Sequence, residues 1–239
     1  MPARIDLEQR RKDVIEAAFR LVVAEGLTGL SLRKVAAESG LNIGSVRHYF
    51  DDHRNLLVAA ATAVGDRMGK RLTRYSTDTL AGLEGEAAVD AVQALLEEFL
   101  PLDDERRVES IVLTEFIVAA RVNPIFRPVT EQMAADMRQV ITQALDVLGV
   151  PGPAEEAERL IAILGGLVID AVTPHGSLGA DRLRKTLRTH LRSVLVTGRD
   201  AHRGDPPSDE PGASAAPAHP AHSGPMEPDP ARPRGGGPA

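Results

Sequence analysis

The chain contains no cysteine and no tryptophan, and it lacks any long apolar run. Without cysteine it forms no disulfide, no thiolate metal site and no thiol nucleophile, and we expect a reducing, cytoplasmic compartment. The longest apolar candidate, Leu160 to Val172, is shorter than the roughly 20 residues that span a bilayer, and it is interrupted by Gly165, Gly166 and Asp170. The first residues show no apolar core of a signal peptide. We therefore expect neither a membrane span nor a leader.

Acidic residues outnumber basic ones in the chain as a whole, but not at its start. The formal net charge of the 239 residues is −6. Residues 1–74 nevertheless hold 13 Lys or Arg against 9 Asp or Glu, a balance of +4 that leaves −10 for the remainder. A basic N-terminal part joined to an acidic remainder indicates a part that contacts a polyanion and a separate body.

Apolar residues recur at helical spacing nearly throughout, and no segment alternates long enough to predict a strand. The pattern predicts an all-α protein of about nine helices, at about 8–25, 32–39, 43–49, 53–74, 88–99, 105–122, 125–148, 154–172 and 180–196. The helix at 105–122 is apolar on most faces, which predicts that it is buried.

The composition changes sharply after residue 198. The last 41 residues contain 10 Pro, 8 Ala and 6 Gly, and their only large apolar residue is Met226. Such a segment cannot bury enough surface to offset its chain entropy. We predict that 199–239 is a disordered tail.

Residues 32–50 have the residue types that a helix-turn-helix requires. Ala36 is small enough for two short helices to cross closely. Gly40, four positions later, suits a tight turn with positive φ. Val46, six positions further, supplies a buried aliphatic that fixes the second helix. This spacing predicts a helix-turn-helix whose second helix enters the major groove of DNA.

Small and polar residues follow the turn, where a recognition helix faces DNA. A helix N-terminus offers free N–H groups to phosphate, and small residues let the backbone approach. Arg47 can bond guanine O6 and N7 in bidentate fashion. Solvation of Arg47, and packing of His48 and Tyr49 in the core, are the alternatives. The predicted DNA contacts are Arg33, Asn42, Gly44, Ser45, Arg47, His48 and Tyr49.

Residues 10–58 resemble the N-terminal domain of TetR-type transcriptional regulators. The matching residues are Glu25-Gly26, Ser31, Val35-Ala36, Gly40, Gly44-Ser45 and Tyr49-Phe50. Two positions depart from the family: Arg47 stands where a Tyr is usual, and His53 replaces the phosphate-binding Lys that opens the fourth helix. The string Ser-Val-Arg-His-Tyr-Phe is similar to the BetI-like branch. The resemblance implies DNA contacts from Arg33, Ser45, Arg47, His48 and Tyr49, and it adds the position of His53.

The resemblance also implies a homodimer that binds double-stranded palindromic operator DNA and that an unknown small-molecule effector releases. It predicts a helix-turn-helix domain at 1–54, a connector helix at 53–74, and a helical ligand-binding and dimerisation domain at 75–198. Nothing in it calls for a cofactor, a metal or a catalytic residue. No nucleophile elbow or phosphate-binding glycine loop is present, so we expect no enzyme. A helical DNA-binding or interaction protein without an effector is the alternative.

Two wide apolar stripes near the end of the body are the candidates for a dimer interface. The predicted interface residues are Leu160, Leu164, Leu167, Val168, Leu187, Leu191 and Val194. Gly165 and Gly166 would let a partner helix approach closely. The alternative is that both stripes face the core of their own domain.

Polar residues inside apolar helices are the candidates for an effector pocket. They are Thr114, Glu115, Asp136 and Asp170. Each can instead be a paired core residue or an interface residue. The body has few aromatic residues, so we do not expect an aromatic cage for a quaternary ammonium ligand.

Overall fold

The structure, a computed structural model, describes residues 2–174, 176 and 178–197. Over these residues the regular secondary structure is helical, which confirms the predicted all-α class. The helices are α1 Pro2–Glu25, α2 Leu32–Ser39, α3 Ile43–Tyr49, α4 His53–Leu72, α5 Thr77–Leu80, α6 Gly85–Glu97, α7 Asp104–Ala120, α8 Arg127–Val147, α9 Pro153–Val172 and α10 Ala180–Arg192. Short 3-10 turns lie at Leu27–Gly29 and Pro124–Phe126, and a π-helical turn follows α10. The predicted tail at 199–239 lies outside the described residues.

Two elements differ from the sequence prediction. The helix α1 begins at Pro2 rather than near residue 8. The four-residue helix α5 was not predicted, because a single turn is too short to show a periodic pattern. Its start is nevertheless capped, since the Ser76 hydroxyl accepts the N–H of Asp78 at 3.2 Å.

Capping side chains fix the starts of the N-terminal helices. The Ser31 hydroxyl accepts the N–H of Lys34 at 3.3 Å at the start of α2. At the start of α4, Asp52 Oδ1 accepts the N–H of Asn55 at 2.7 Å. Each bond satisfies a backbone donor that the helix leaves without an intrahelical partner.

The buried apolar side chains form two clusters. The first joins α1–α4, and Val112, Phe116 and Phe126 from the body complete it. The Phe116 and Phe126 rings pack against each other with centroids 5.1 Å apart. The second cluster joins residues of α5, α6, α8, α9 and α10. The core beneath the helix-turn-helix is therefore shared with α7, which passes between the two parts of the chain.

The apolar stripes of α9 and α10 lie largely inside their own chain. Leu160, Leu164, Leu167, Leu187 and Leu191 are buried in the second cluster. For these five side chains the predicted dimer interface is wrong, because α8 packs on α9 and α6 packs on α10 of the same chain. Val168 and Val194 are half-buried.

The prediction that the helix at 105–122 is buried holds for only part of its length. Val112 and Phe116 of α7 are fully buried. Ile117, Val118 and the following Val122 are 54%, 58% and 79% exposed. The prediction is wrong at this end because, within the described residues, no other element covers these three side chains.

Among the described helices, none combines the length and the apolar character that crossing a bilayer requires.

Candidate DNA-binding surface and ligand cavity

The helices α2 and α3 cross at a tight turn. The turn residue Gly40 has a φ of +69°, in the left-handed region that favours glycine. The N–H of Leu41 donates to the Ala36 carbonyl at 3.0 Å and closes the turn. Ala36 and Val46 are 5% and 0% exposed at the crossing. The spacing of Ala36, Gly40 and Val46 therefore folds as the sequence predicts, into a helix-turn-helix.

Four residues of α3 turn outward, and we call them the outer face of α3: Ile43, Gly44, Arg47 and His48. They are exposed and share one side because positions three and four apart on a helix lie together. Ser45 and Tyr49, which were also predicted contacts, are half-buried at its edges. The Tyr49 ring meets the His48 ring edge-on at 5.5 Å.

The start of α3 leaves room for a close approach of its backbone. The exposed Asn42 caps the helix, its Oδ1 accepting the N–H of Ser45 at 2.8 Å. A Cβ added at Gly44 would lie 3.2 Å from that oxygen, so glycine lets the cap sit tightly. An exposed, glycine-bearing helix start can approach a phosphate closely.

The positive charges of this region fall into two groups. Lys34 pairs with Glu25, and Arg20 pairs with Glu38 at 2.5 Å. Among the described residues, by contrast, no carboxylate lies within ion-pair distance of Arg33 on α2 or Arg47 on α3. These two exposed guanidinium groups are therefore available to an anionic ligand.

Three exposed side chains beside the predicted contacts were missed by sequence reasoning. Ile43 opens the outer face of α3 and is 40% exposed. Arg54 follows His53 at the start of α4, where both side chains are exposed. The Arg11 guanidinium of α1 lies over the Phe50 ring at 5.2 Å, next to the end of α3. Two sequence signals could have found these residues. Ile43 is an apolar residue directly after the helix cap Asn42, and Arg54 is a cation next to His53, which replaces the family's phosphate-binding Lys.

A cavity of about 370 Å³ lies among α4, α7, α8 and α9. Its walls are apolar, and Thr114 and Thr130 are its only polar side chains in the described part of the chain. Both hydroxyls already donate to backbone carbonyls, at 2.7 Å to Ser110 and 3.0 Å to Phe126. No ionisable group of the described residues lines this cavity. The largest wall residues are Phe99, Met68, Met133, Met137, Leu113, Ile117, Ile161 and Leu164.

The four predicted pocket residues lie in different places. Thr114 lines the cavity. Asp136 lines a neighbouring hollow between α4 and α8 and accepts the Gln132 amide at 2.8 Å. Glu115 points to the N-terminal helices, where its Oε2 accepts the N–H of Leu27 at 3.2 Å. Asp170 is half-buried near the end of α9 and lines neither space. Glu115 faces away from the cavity that Thr114 lines, since consecutive positions on a helix face different sides. The role of Asp170 stays a prediction.

A buried carboxylate joins α4 to α7, and sequence reasoning missed it. Glu109 of α7 is 2% exposed, and its Oε2 lies 2.7 Å from Arg71 Nη2. Arg67 approaches the same carboxylate at 3.9 Å, and Arg71 Nε also lies 3.2 Å from Glu98 Oε2. The Arg67–Arg71 spacing of four on one helix, with a Glu inside an apolar helix, is the sequence signal for such a network.

The same network reaches the first helix and the end of α4. Arg67 pairs with Glu16 of α1 and stacks over the Phe19 ring at 4.7 Å. The Tyr75 hydroxyl lies 2.9 Å from Glu98 Oε1. Burial, helped by this bond to Glu98, raises the pKa of Tyr75 from its usual 10 to about 12. Charged and hydrogen-bonded contacts thus tie α1, α4 and α7 together.

A capped helix-turn-helix that exposes uncompensated arginines, carried by a helical body with an apolar cavity, defines a DNA-binding transcriptional regulator. Residues 14–60 match the family described as bacterial regulatory proteins, tetR family. Residues 88–196 match the C-terminal domain of BetI-type transcriptional repressors. The chain therefore belongs to the TetR family, with a body of the BetI type, and is a DNA-binding transcriptional repressor.

Individual relatives agree with this assignment. The chain is 30% identical over 200 residues to the HTH-type transcriptional regulator PksA of Bacillus subtilis strain 168, which covers 82% of this chain and 95% of the relative. A transcriptional regulator of Rhodococcus sp. Rha1 superposes with a TM-score of 0.69 at 25% identity, covering 77% of this chain and 95% of the other. The multidrug binding protein EbrR, complexed with malachite green, gives a TM-score of 0.56 at 25% identity, covering 76% and 97%.

Proposed function

We propose that two copies of the chain bind a palindromic operator, each placing the outer face of α3 in a major groove. One short helix reaches only a few base pairs, and a two-fold dimer on two half-sites about one helical turn apart supplies the missing specificity. The single observation that carries this proposal is the geometry of α3. It is fixed from behind by the buried Val46 and exposes Arg47 without an acidic partner among the described residues.

Two residues of the outer face read the bases. Arg47 donates in bidentate fashion to O6 and N7 of a guanine, the commonest specific contact in the major groove. Ile43, an exposed aliphatic at the start of the same helix, packs on the C5-methyl group of a thymine. Gly44 lets the helix start come close enough for both contacts.

The surrounding polar residues position α3 on the phosphates. Arg33 and Arg54 are permanent cations beside the outer face of α3. Arg54 makes the phosphate contact that the family's Lys makes at the position of His53. Arg11, held against Phe50, adds a third cation beside α3. The remaining predicted contacts, to phosphate or sugar, are Asn42, Ser45, His48, Tyr49 and His53.

The effector is an uncharged, largely apolar molecule that occupies the cavity among α4, α7, α8 and α9. Its volume of about 370 Å³ lies within the range of small-molecule sites. No ionisable side chain of the described residues lines it, so a buried charge on the ligand would have no partner. The three methionines of its wall adapt to ligands of different shape. The similarity to the multidrug binding protein EbrR, which is complexed with malachite green, supports a small-molecule ligand for a chain of this fold.

The contacts of α4 and α7 transmit ligand binding to the DNA surface. Met68 of α4 lines the cavity, while its neighbours Arg67 and Arg71 hold Glu109 of α7. A ligand acts only if it binds one arrangement of these helices better than the other. The cavity favours this reading over a DNA-binding protein without an effector.

Two binding measurements test the proposed function. The full chain should bind a palindromic site selected by it more tightly than random DNA, and part of the difference should persist as salt is raised. Apolar compounds that fill the cavity should lower operator affinity. Binding that depends on salt alone and ignores sequence would contradict the proposal.

A further inference from the structure

Two histidines lie on the surface that carries the helix-turn-helix. His48 is in the last turn of α3, on its outer face, and His53 is the first residue of α4. Both side chains are exposed. Imidazole is the side chain whose ordinary change of charge falls between about pH 5 and pH 8. The charge of this surface can therefore change near neutral pH at these two positions.

The groups around His48 are mostly cations, and the nearby carboxylates are engaged elsewhere. Glu25 and Glu38 pair with Lys34 and Arg20. The Tyr49 ring meets the His48 ring edge-on. The charged and titratable groups on α3, on α2, which packs against it, and at the neighbouring part of α1 are Arg47, Tyr49, Arg33, Lys34, Glu38 and Arg11.

The groups around His53 include carboxylates, but these do not pair with it. The adjacent Asp51 is exposed, and Asp52 accepts the N–H of Asn55 at 2.7 Å as the helix cap. Arg54 follows on the same helix. From the other elements packed on α4, the charged groups that contact α4 or the helix-turn-helix include Arg11, Glu16, Glu109, Glu115 and Asp136.

Each of those four carboxylates has a partner of its own. Glu16 pairs with Arg67, and Glu109 lies 2.7 Å from Arg71. Glu115 accepts the N–H of Leu27 at 3.2 Å, and Asp136 accepts the Gln132 amide at 2.8 Å. Within the part of the chain that the structure describes, His190 on α10 is the histidine with an ion-pair partner, and neither His48 nor His53 has a carboxylate within that distance.

An imidazole without an anionic partner gains one when DNA binds. Duplex DNA carries a negative charge for about every 1.7 Å of its axis, and an opposite charge within a few ångströms favours the protonated ring. The complex then holds more protons than the free chain and the free DNA together. A state that binds more protons becomes less favourable as the pH rises, so affinity for DNA should fall with rising pH.

We propose that His48 and His53 take up protons from solvent when the operator binds, so that the repressor binds DNA more tightly as the pH falls from about 8 to about 6. Each proton adds an N–H that donates to a phosphate oxygen. The proposal rests on the proposed function, which places both side chains at the phosphates. It adds control by pH to the same surface.

The test compares the wild type with His48→Gln, His53→Gln, the double variant and His53→Lys. Glutamine keeps a neutral donor, whereas lysine supplies a cation that does not titrate in this range. His190→Gln is the matched control, because this half-buried histidine lies in the body, 2.8 Å from Glu156. Fluorescence anisotropy measures binding of a palindromic duplex selected by the full chain, and of a random duplex, at pH 6, 7 and 8. Circular dichroism checks the helix content of each protein at each pH.

The wild type and His190→Gln should bind the selected duplex at least about tenfold more tightly at pH 6 than at pH 8, since each proton taken up gives as much as tenfold per pH unit. The dependence on salt should be steeper at pH 6, because charged imidazoles release further counterions. Each glutamine variant should reduce the fold change, and the double variant should abolish it. His53→Lys should bind more tightly than the wild type at pH 8.

Equal affinity of the wild type at pH 6 and pH 8 would overturn the proposal, and so would a double variant that keeps the full fold change. A single glutamine variant with the fold change of the wild type would remove that histidine from it. If the selected duplex is still preferred over the random one in these cases, control by pH is wrong while the proposed function stands. Equal binding of both duplexes would instead contradict the proposed function.

Discussion

The outer face of α3 and the cavity of the body are built in different ways. The face is set by residues within a stretch of a few turns: the cap Asn42, the turn residue Gly40 and the buried Val46. The cavity is set by residues more than 90 positions apart, from Met68 on α4 to Ile169 on α9. The comparison teaches that local rules shape the DNA surface, whereas only tertiary packing shapes the ligand site.

The largest expected effect is on stability, and it comes from the contact between α4 and α7 that joins these two regions. Glu109→Ala leaves Arg67 and Arg71 of α4 without their shared buried carboxylate. Removing one partner of a buried ion pair costs about 3–5 kcal/mol, so the free energy of unfolding should fall by about that amount. Urea unfolding followed by circular dichroism measures it.

The conservative variant Glu109→Gln should lose less stability than Glu109→Ala, because it keeps the volume and can still accept a hydrogen bond. A loss below about 1 kcal/mol for Glu109→Ala would show that the carboxylate does not hold α4 to α7, and the two regions would then be more independent than described.

The next effect isolates base reading on the outer face of α3. Arg47→Ala should weaken operator binding by about 1–3 kcal/mol and relax the sequence preference at one base pair of each half-site. Arg54→Ala is the control: it should weaken binding about equally on all sequences and lower the salt dependence, as expected for a phosphate contact. Equal loss on every sequence for Arg47→Ala would remove its role in base reading.

The sequence predicted the helix-turn-helix well and the cavity of the body poorly, for the same physical reason. Ser31, Gly40 and Asn42 act through backbone atoms a few residues away, so their spacing alone predicts the helix-turn-helix. Apolar periodicity finds α9 and α10, but it cannot tell whether Leu160 or Leu187 faces its own chain or a partner. That choice depends on where α6 and α8 pack.

The residues of the ligand pocket were also predicted only in part. Polar residues inside apolar helices predicted the ligand pocket, and of these Thr114 lines the cavity. Glu115, its neighbour on α7, instead binds the N–H of Leu27. The three methionines of the wall carry no sequence pattern that separates them from ordinary core residues. The DNA contacts themselves stay predictions.

A smaller effect should follow from loss of a helix cap. Ser31→Ala removes the hydroxyl that accepts the N–H of Lys34 and should lower the free energy of unfolding by about 1 kcal/mol. Ser31→Asp, which keeps an acceptor at the same position, should retain most of the stability. If Ser31→Ala and Ser31→Asp had the same free energy of unfolding, the side-chain cap at the start of α2 would not stabilise the helix-turn-helix.

The smallest effect concerns pH and lies in the body. The pKa of Tyr75 is raised to about 12 in the folded chain. The neutral hydroxyl is thus favoured by folding, and its contribution is fully present below pH 10 and is lost as the pH rises from about 10 to about 12. Tyr75→Phe should therefore lose less stability than the wild type between pH 9 and pH 11.5 in urea titrations. Identical pH dependence of the two proteins would show that burial and the bond to Glu98 do not favour the neutral hydroxyl of Tyr75.

The most direct test of the central claim is selection of DNA by the full chain from a pool of random duplexes. The account predicts an inverted repeat whose half-sites lie about one helical turn apart, with a guanine in each half-site whose enrichment disappears for Arg47→Ala. A pool that shows no enriched sequence after selection, with binding that vanishes in high salt, would contradict it.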